Sequence, residues 1–196
     1  MAKLSRPIDS DTKFYKPKEM EVGLYKFQVK GHVEWGSNKD LNIKGAFDKL
    51  SQLEQDQVNV MSIRWELECL DAPYAGWTRY FWTTYWASPE KLSEVLENKK
   101  AGFAKKNPTA TDEEIEKAVE DWRPQEAIFE MLFACGLMVQ DDERQEYKPS
   151  GWELTEEGFT EALISATNSV IWGKVGPIEG TKITDGIVSV SPAHEE

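Results

Sequence analysis

The stretch Gly76-Trp-Thr-Arg-Tyr-Phe-Trp-Thr-Thr-Tyr-Trp-Ala-Ser88 decides how this chain is read. Six of its residues are aromatic, and they fall on both sides of an extended segment, whereas a core needs only one side. Trp77, Arg79, Phe81, Thr83 and Tyr85 share one parity; Thr78, Tyr80, Trp82, Thr84 and Trp86 share the other. A guanidinium is rarely buried without a partner. Parity therefore predicts that the Arg79 side meets solvent, with Trp77, Phe81 and Tyr85 as an exposed row, and that Tyr80 and Trp82 enter the core.

The flanking sequence supports a hairpin. DAPYAG, residues 71–76, places Asp, Pro and Gly for a turn, and VNVMSIRWELECL before it alternates with Met61, Ile63, Trp65, Leu67 and Cys69 on one face. An earlier run, LYKFQVKGHVEW, puts Tyr25, Phe27, Val29, Val33 and Trp35 on one parity, with Gly31 interrupting it as a bulge or strong bend would. Helical signals begin at Ser88, an N-cap before Pro89, and continue with the capping box Thr111–Glu114, a run opened by Pro124 and closed by Gly136, and a last helix capped by Thr155. Residues 140–151 read as a charged loop, and two short strands lie within SVIWGKVGPIEGTKITDGIVSVSP.

The order is three strands, a helical block over 88–168, then two strands. It predicts a mainly β fold with a large helical insertion, an α+β arrangement built on a five-stranded OB-fold-like barrel with helices between strands 3 and 4. Residues 1–20 are expected to form an N-terminal arm, 21–192 one OB-fold-like domain, and 193–196 a frayed tail.

Composition bounds the function. With 196 residues, 40% of them hydrophobic, 30% charged and 8 of them Trp, the chain has the apolar content of a folded protein. No run reaches the length of a membrane helix and the N-terminus lacks the apolar segment of a secretory signal, so a cytoplasmic location and no membrane partner are expected. Cys69 and Cys135 lack metal or redox spacing and read as buried apolar residues. The net charge of −12 is unevenly spread: residues 1–106 hold 17 Lys or Arg against 15 Asp or Glu, and residues 107–196 hold 6 against 20. The first half is thus free to meet an anion despite the acidic total.

Motifs for catalysis are sparse. His32 and His194 are too few for a zinc site or a triad, and GKVGPIEGTK lacks phosphate-loop spacing. The acidic runs at 112–114 and 141–143 read as capping or solvated surface. No enzyme activity, metal or cofactor is expected. What stands out is aromatic and basic groups on adjacent strands: Lys26 and Lys30 on the first, Arg64 on the second, Trp77, Arg79, Phe81 and Tyr85 on the third, with Lys39 and Lys44 in the loop after the first. Flat rings and cations together suit single-stranded nucleic acid, whose bases stack while its phosphates attract charge.

The chain resembles phage-encoded OB-fold single-stranded DNA-binding proteins through GLYKFQVKG, WELECLDAPYAGWTRYFW and LFACGL. The resemblance implies a non-enzymatic protein of replication or recombination that coats single-stranded DNA, or RNA, with little sequence preference, in the host cytoplasm. It also implies replication or recombination partners met through acidic segments. The chain departs from many such proteins in ending on Ala193, His194, Glu195 and Glu196 in place of a tail closed by an aromatic or apolar residue. Two other readings stay open: an acidic interaction or inhibitor protein that imitates nucleic acid, and a carbohydrate- or peptide-binding β module.

Overall fold

The computed structural model describes residues 19–120, 125–141 and 146–193. The arm through residue 18, the helix start at Pro124, the acidic residues from 142, and His194 with the rest of the tail lie outside the described residues.

The longest element, β1 (Gly23–Asn38), is the axis of the sheet. Its first half pairs antiparallel with β7 (Val170–Gly176), its length from Phe27 onward with β3 (Val60–Cys69), and its end with β2 (Ile43–Ala46). A bulge interrupts it where the sequence places Gly31, because the register against β3 shifts between Val29 and Gly31. One inserted residue reverses which side every later side chain takes. Phe27 and Val29 point into the core before the bulge, whereas Val33 and Trp35 pair with Arg64 and Ser62 on the opposite face after it. The single apolar parity read from the sequence is therefore two half-strands with opposite inward faces. At Gly173 of β7 a Cβ would lie 2.7 Å from Phe27 Cδ2, so the pairing needs a residue without a side chain there.

The expected hairpin is present, with β3 joined to β4 (Thr78–Ala87), as are the two last strands, β7 and β8 (Gly186–Pro192). The expected barrel is not. The sheet runs β4-β3-β1-β7-β8, with β2 beside β1, and no strand ladder joins β4 to β8 among the described residues. It is an open antiparallel sheet of six strands, accompanied by a separate two-stranded sheet. A side chain spans the seam instead: Arg79 of β4 donates through Nε to the Asp185 carbonyl at 3.1 Å, and its guanidinium pairs with the Asp185 carboxylate.

Inward residues of the sheet meet helices on one side. Trp65, Phe27, Ile63 and Leu67 pack with Ile128, Met131 and Leu132 of α4 (Glu126–Ala134) and with Ala162 and Leu163 of α5 (Glu156–Ser165) in one buried cluster. Predicted caps hold: Ser88 accepts from the Lys91 N–H at the start of α2 (Pro89–Lys106), Thr111 and Glu114 exchange bonds ahead of α3 (Asp112–Glu120), and Thr155 accepts from the Gly158 N–H. Gly136 sits at φ 76°, the left-handed geometry that ends a helix. A further capping box, Ser51 with Glu54, starts the short α1 (Gln52–Gln55). Where a charged loop was expected from residue 140, β5 (Met138–Asp141) pairs antiparallel with β6 (Glu146–Pro149). Cys69 is buried, and Cys135, half-buried beside Ser169, has its thiol pushed up to about 12 by desolvation, so both are unreactive thiols. Among the described residues no helix is long and apolar enough to cross a membrane.

Candidate nucleic-acid interface

The faces of β4 are the reverse of those that Arg79 suggested. Thr83, on the Arg79 side, is fully buried, and its hydroxyl accepts from Trp65 Nε1 at 2.8 Å. Trp77, Phe81 and Tyr85 are half-buried against the core, with Trp77 edge-on to Tyr74 and Tyr85 against Phe159 of α5. Burial raises the Tyr85 hydroxyl to about 12, with the nearby Glu34 carboxylate adding to the effect. The proposed stacking row is thus a packing row. Arg79 misled because its charge is met by Asp185, 106 residues away, and by the Trp77 ring at 5.4 Å. On the other parity, Tyr80 and Trp82 each leave 47% of their surface in water.

This outer face brings together residues from five strands. Arg64 of β3 lies between rings of two neighbouring strands: its guanidinium carbon is 5.0 Å from the Trp35 centroid, 4.9 Å from Tyr80 and 6.0 Å from Trp82. Trp35 and Trp82 meet edge to face at 5.4 Å across the width of β3. Trp35 reaches this face only because of the bulge in β1, and the Ser62–Thr84 hydroxyl pair at 3.1 Å ties the strands beneath it. Such packing holds each ring in one orientation while leaving part of it bare, the state a stacking platform requires.

A second ring and cation pair lies toward β7. Lys26 Nζ sits 5.1 Å from the Trp172 centroid, and Lys174 follows on the same side two residues later. Lys30, the bulged residue, lies between the two groups; its Nζ donates to Gln28 and is 3.8 Å from Glu68. At that distance and exposure the pairing is weak and leaves Lys30 able to exchange partners. Lys44 of β2, opposite Ser37, is exposed at the far end of the same face, and Lys39 is exposed in the turn beyond it. Glu66 and Glu68 are the carboxylates of β3 on this side, against Lys26, Lys30, Lys44, Arg64 and Lys174. The face therefore keeps a positive balance in a protein whose total is negative.

Of the residues singled out from the sequence, Lys26, Lys30, Lys44 and Arg64 share this face, and Lys39 lies beside it. Trp77, Arg79, Phe81 and Tyr85 do not share it. Trp35, Tyr80, Trp82, Trp172 and Lys174 were missed as candidates. The alternation of Trp172 with Lys174 in VIWGKVG carries a readable signal for the last two, whereas no local pattern marks Trp35 as outward. Among the described residues no group of three or more His, Cys, Asp or Glu is placed to hold a metal ion.

No family model, no curated protein and no solved structure matches this chain.

Proposed function

We propose that the protein binds single-stranded DNA with little sequence preference on the outer face of its sheet, as a coating protein of replication or recombination. The observation that carries the reading is the Arg64 guanidinium set among the rings of Trp35, Tyr80 and Trp82, with Lys26 over Trp172 on the same surface. Any base offers a π face, so exposed rings accept bases without selecting among them, and the intervening cations follow the phosphates. The site is the opposite face of β4 from the one its sequence suggested, but its chemistry is the same. Lys26, Lys30, Lys44 and Arg64 lie on the half of the chain that escapes the acidic excess, with Lys174 added from the other half, whose acidic helices are left to meet protein partners.

A titration of the full chain with a dT oligonucleotide, followed by tryptophan fluorescence, tests the reading. If Lys26, Lys30, Lys44 and Lys174 each meet one phosphate, a slope of about 0.7 per contact predicts roughly 50-fold weaker binding between 50 and 200 mM salt. Binding that ignores salt, or that survives loss of both Arg64 and Trp82, would refute it. Salt-independent quenching by oligosaccharide would instead favour a sugar-binding face.

A further inference from the structure

On the helical side of the sheet, away from the outer face, a groove of ≈ 500 Å³ opens beside the ends of β3 and β4. Its walls come from separate parts of the chain: Phe47 and Val58 around α1, Tyr85 and Trp86 of β4, and Phe159 of α5. Two irregularities create it. The register of β3 against β4 shifts between Met61 and Ser62, leaving Tyr85 as the extra residue, so that Tyr85 and Trp86 both line the groove. The bulge in β1 turns Glu34 to the inward side, opposite Ile63, and so into the same space.

The charge of this groove is one-sided. Glu34 from β1 and Glu156 from the first turn of α5 line it, and no lysine or arginine does among the described residues. Among the described residues neither carboxylate forms an ion pair, whereas Glu94, Glu97 and Glu116 of α2 and α3 do. Glu34 is close enough to Tyr85 for its charge to add to the effect of burial in raising the Tyr85 hydroxyl. Aromatic walls, uncompensated carboxylates and a volume in the usual range for small ligands, about 300–1,000 Å³, are the complement of one chemical class.

We infer that this groove binds a small organic cation, an alkylammonium ion whose apolar arm lies on Phe47, Trp86 and Phe159 and whose charge sits between Glu34 and Glu156. Rings attract such a cation through their negative faces, and the carboxylates distinguish it from a neutral molecule of equal size. The site is independent of nucleic-acid binding, because it lies on the other side of the sheet from Arg64 and Trp82.

The test is a titration of the full chain with n-butylammonium chloride, read at the Trp86 indole N–H resonance in ¹H–¹⁵N spectra and identified by its loss in Trp86→Phe. Sodium chloride and n-butanol at equal concentrations are the controls. The expected result is a saturable shift with butylammonium only, weakened about fivefold to tenfold by Glu34→Gln or by Glu156→Gln and unchanged by Arg64→Ala. An unchanged Trp65 indole resonance, buried against Thr83, shows that each variant is folded. An equal shift with n-butanol, no shift with either, or full binding by the doubly substituted protein would overturn the inference.

Discussion

Replacing Trp82 by alanine separates the outer face from the packed one. Trp82 leaves 47% of its surface in water and spends one edge on Trp35, with the Arg64 guanidinium 6.0 Å from its centroid. A base stacked on an aromatic ring contributes about 1–3 kcal/mol, and a ring already half-covered should fall in the lower part, about 1–2 kcal/mol. At roughly 1.4 kcal/mol per tenfold, Trp82→Ala weakens oligonucleotide binding about 5- to 30-fold. The fold loses the edge-to-face contact with Trp35, about 0.5–1.5 kcal/mol, in addition to the transfer energy of the area that Trp82 buries. Phe81→Ala is the counterpart. Its ring packs against the core, so its loss should cost about 2–3 kcal/mol in urea unfolding, somewhat below a fully buried phenylalanine. Binding by the folded fraction should match the unsubstituted protein. Fluorescence titration and urea denaturation on the same samples give both numbers. Unchanged binding by Trp82→Ala, together with lost binding and full stability for Phe81→Ala, would refute the assignment of faces.

Other perturbations test the architecture. Gly173→Ala should lower stability by about 1–3 kcal/mol, because its Cβ meets the buried Phe27 ring at 2.7 Å; Gly102→Ala, in open space on α2, should raise it by up to about 1 kcal/mol, and urea midpoints compare the two. Asp185→Asn should cost about 1–3 kcal/mol in the same assay, since the carboxylate accepts from both Arg79 and the Met20 N–H at the sheet seam. His32 is half-buried beside Trp65, and burial holds its pKa below 6.5, with Glu34 opposing the shift. Its neutral form is favoured by folding, so its contribution is complete above the unfolded pKa and is lost as pH falls through 6.5 toward the lower folded value. The loss of stability between pH 7.5 and 5.5 should therefore be smaller in His32→Gln than in the unsubstituted chain, by urea midpoints at each pH.

The local elements were legible because their causes are local. Ser88 with Pro89, Thr111 with Glu114, and Thr155 announce helix starts through bonds that span three residues, and the turn over DAPYAG joins two runs of alternating side chains. The pairing of β5 with β6 was obscured because the charged sequence around it resembles a loop, while the pairing depends on registry between two four-residue strands. The candidate site was legible in its chemistry but not in its members. Rings and cations on neighbouring strands were visible, yet which rings share a face with Arg64 depends on a bulge and on a salt bridge formed elsewhere.

By itself the sequence determined the hairpin of β3 with β4, the starts of α2, α3 and α5, the two last strands, and the concentration of acidic charge in the second half. Only tertiary structure decided the sidedness of β4, the reversal of β1 at its bulge, and the seam that stays open at Arg79. The physical reason is that alternation is symmetric: it states that two faces differ, and only the partners brought from distant positions, Asp185 for Arg79 and Trp65 for Thr83, select the one that is buried.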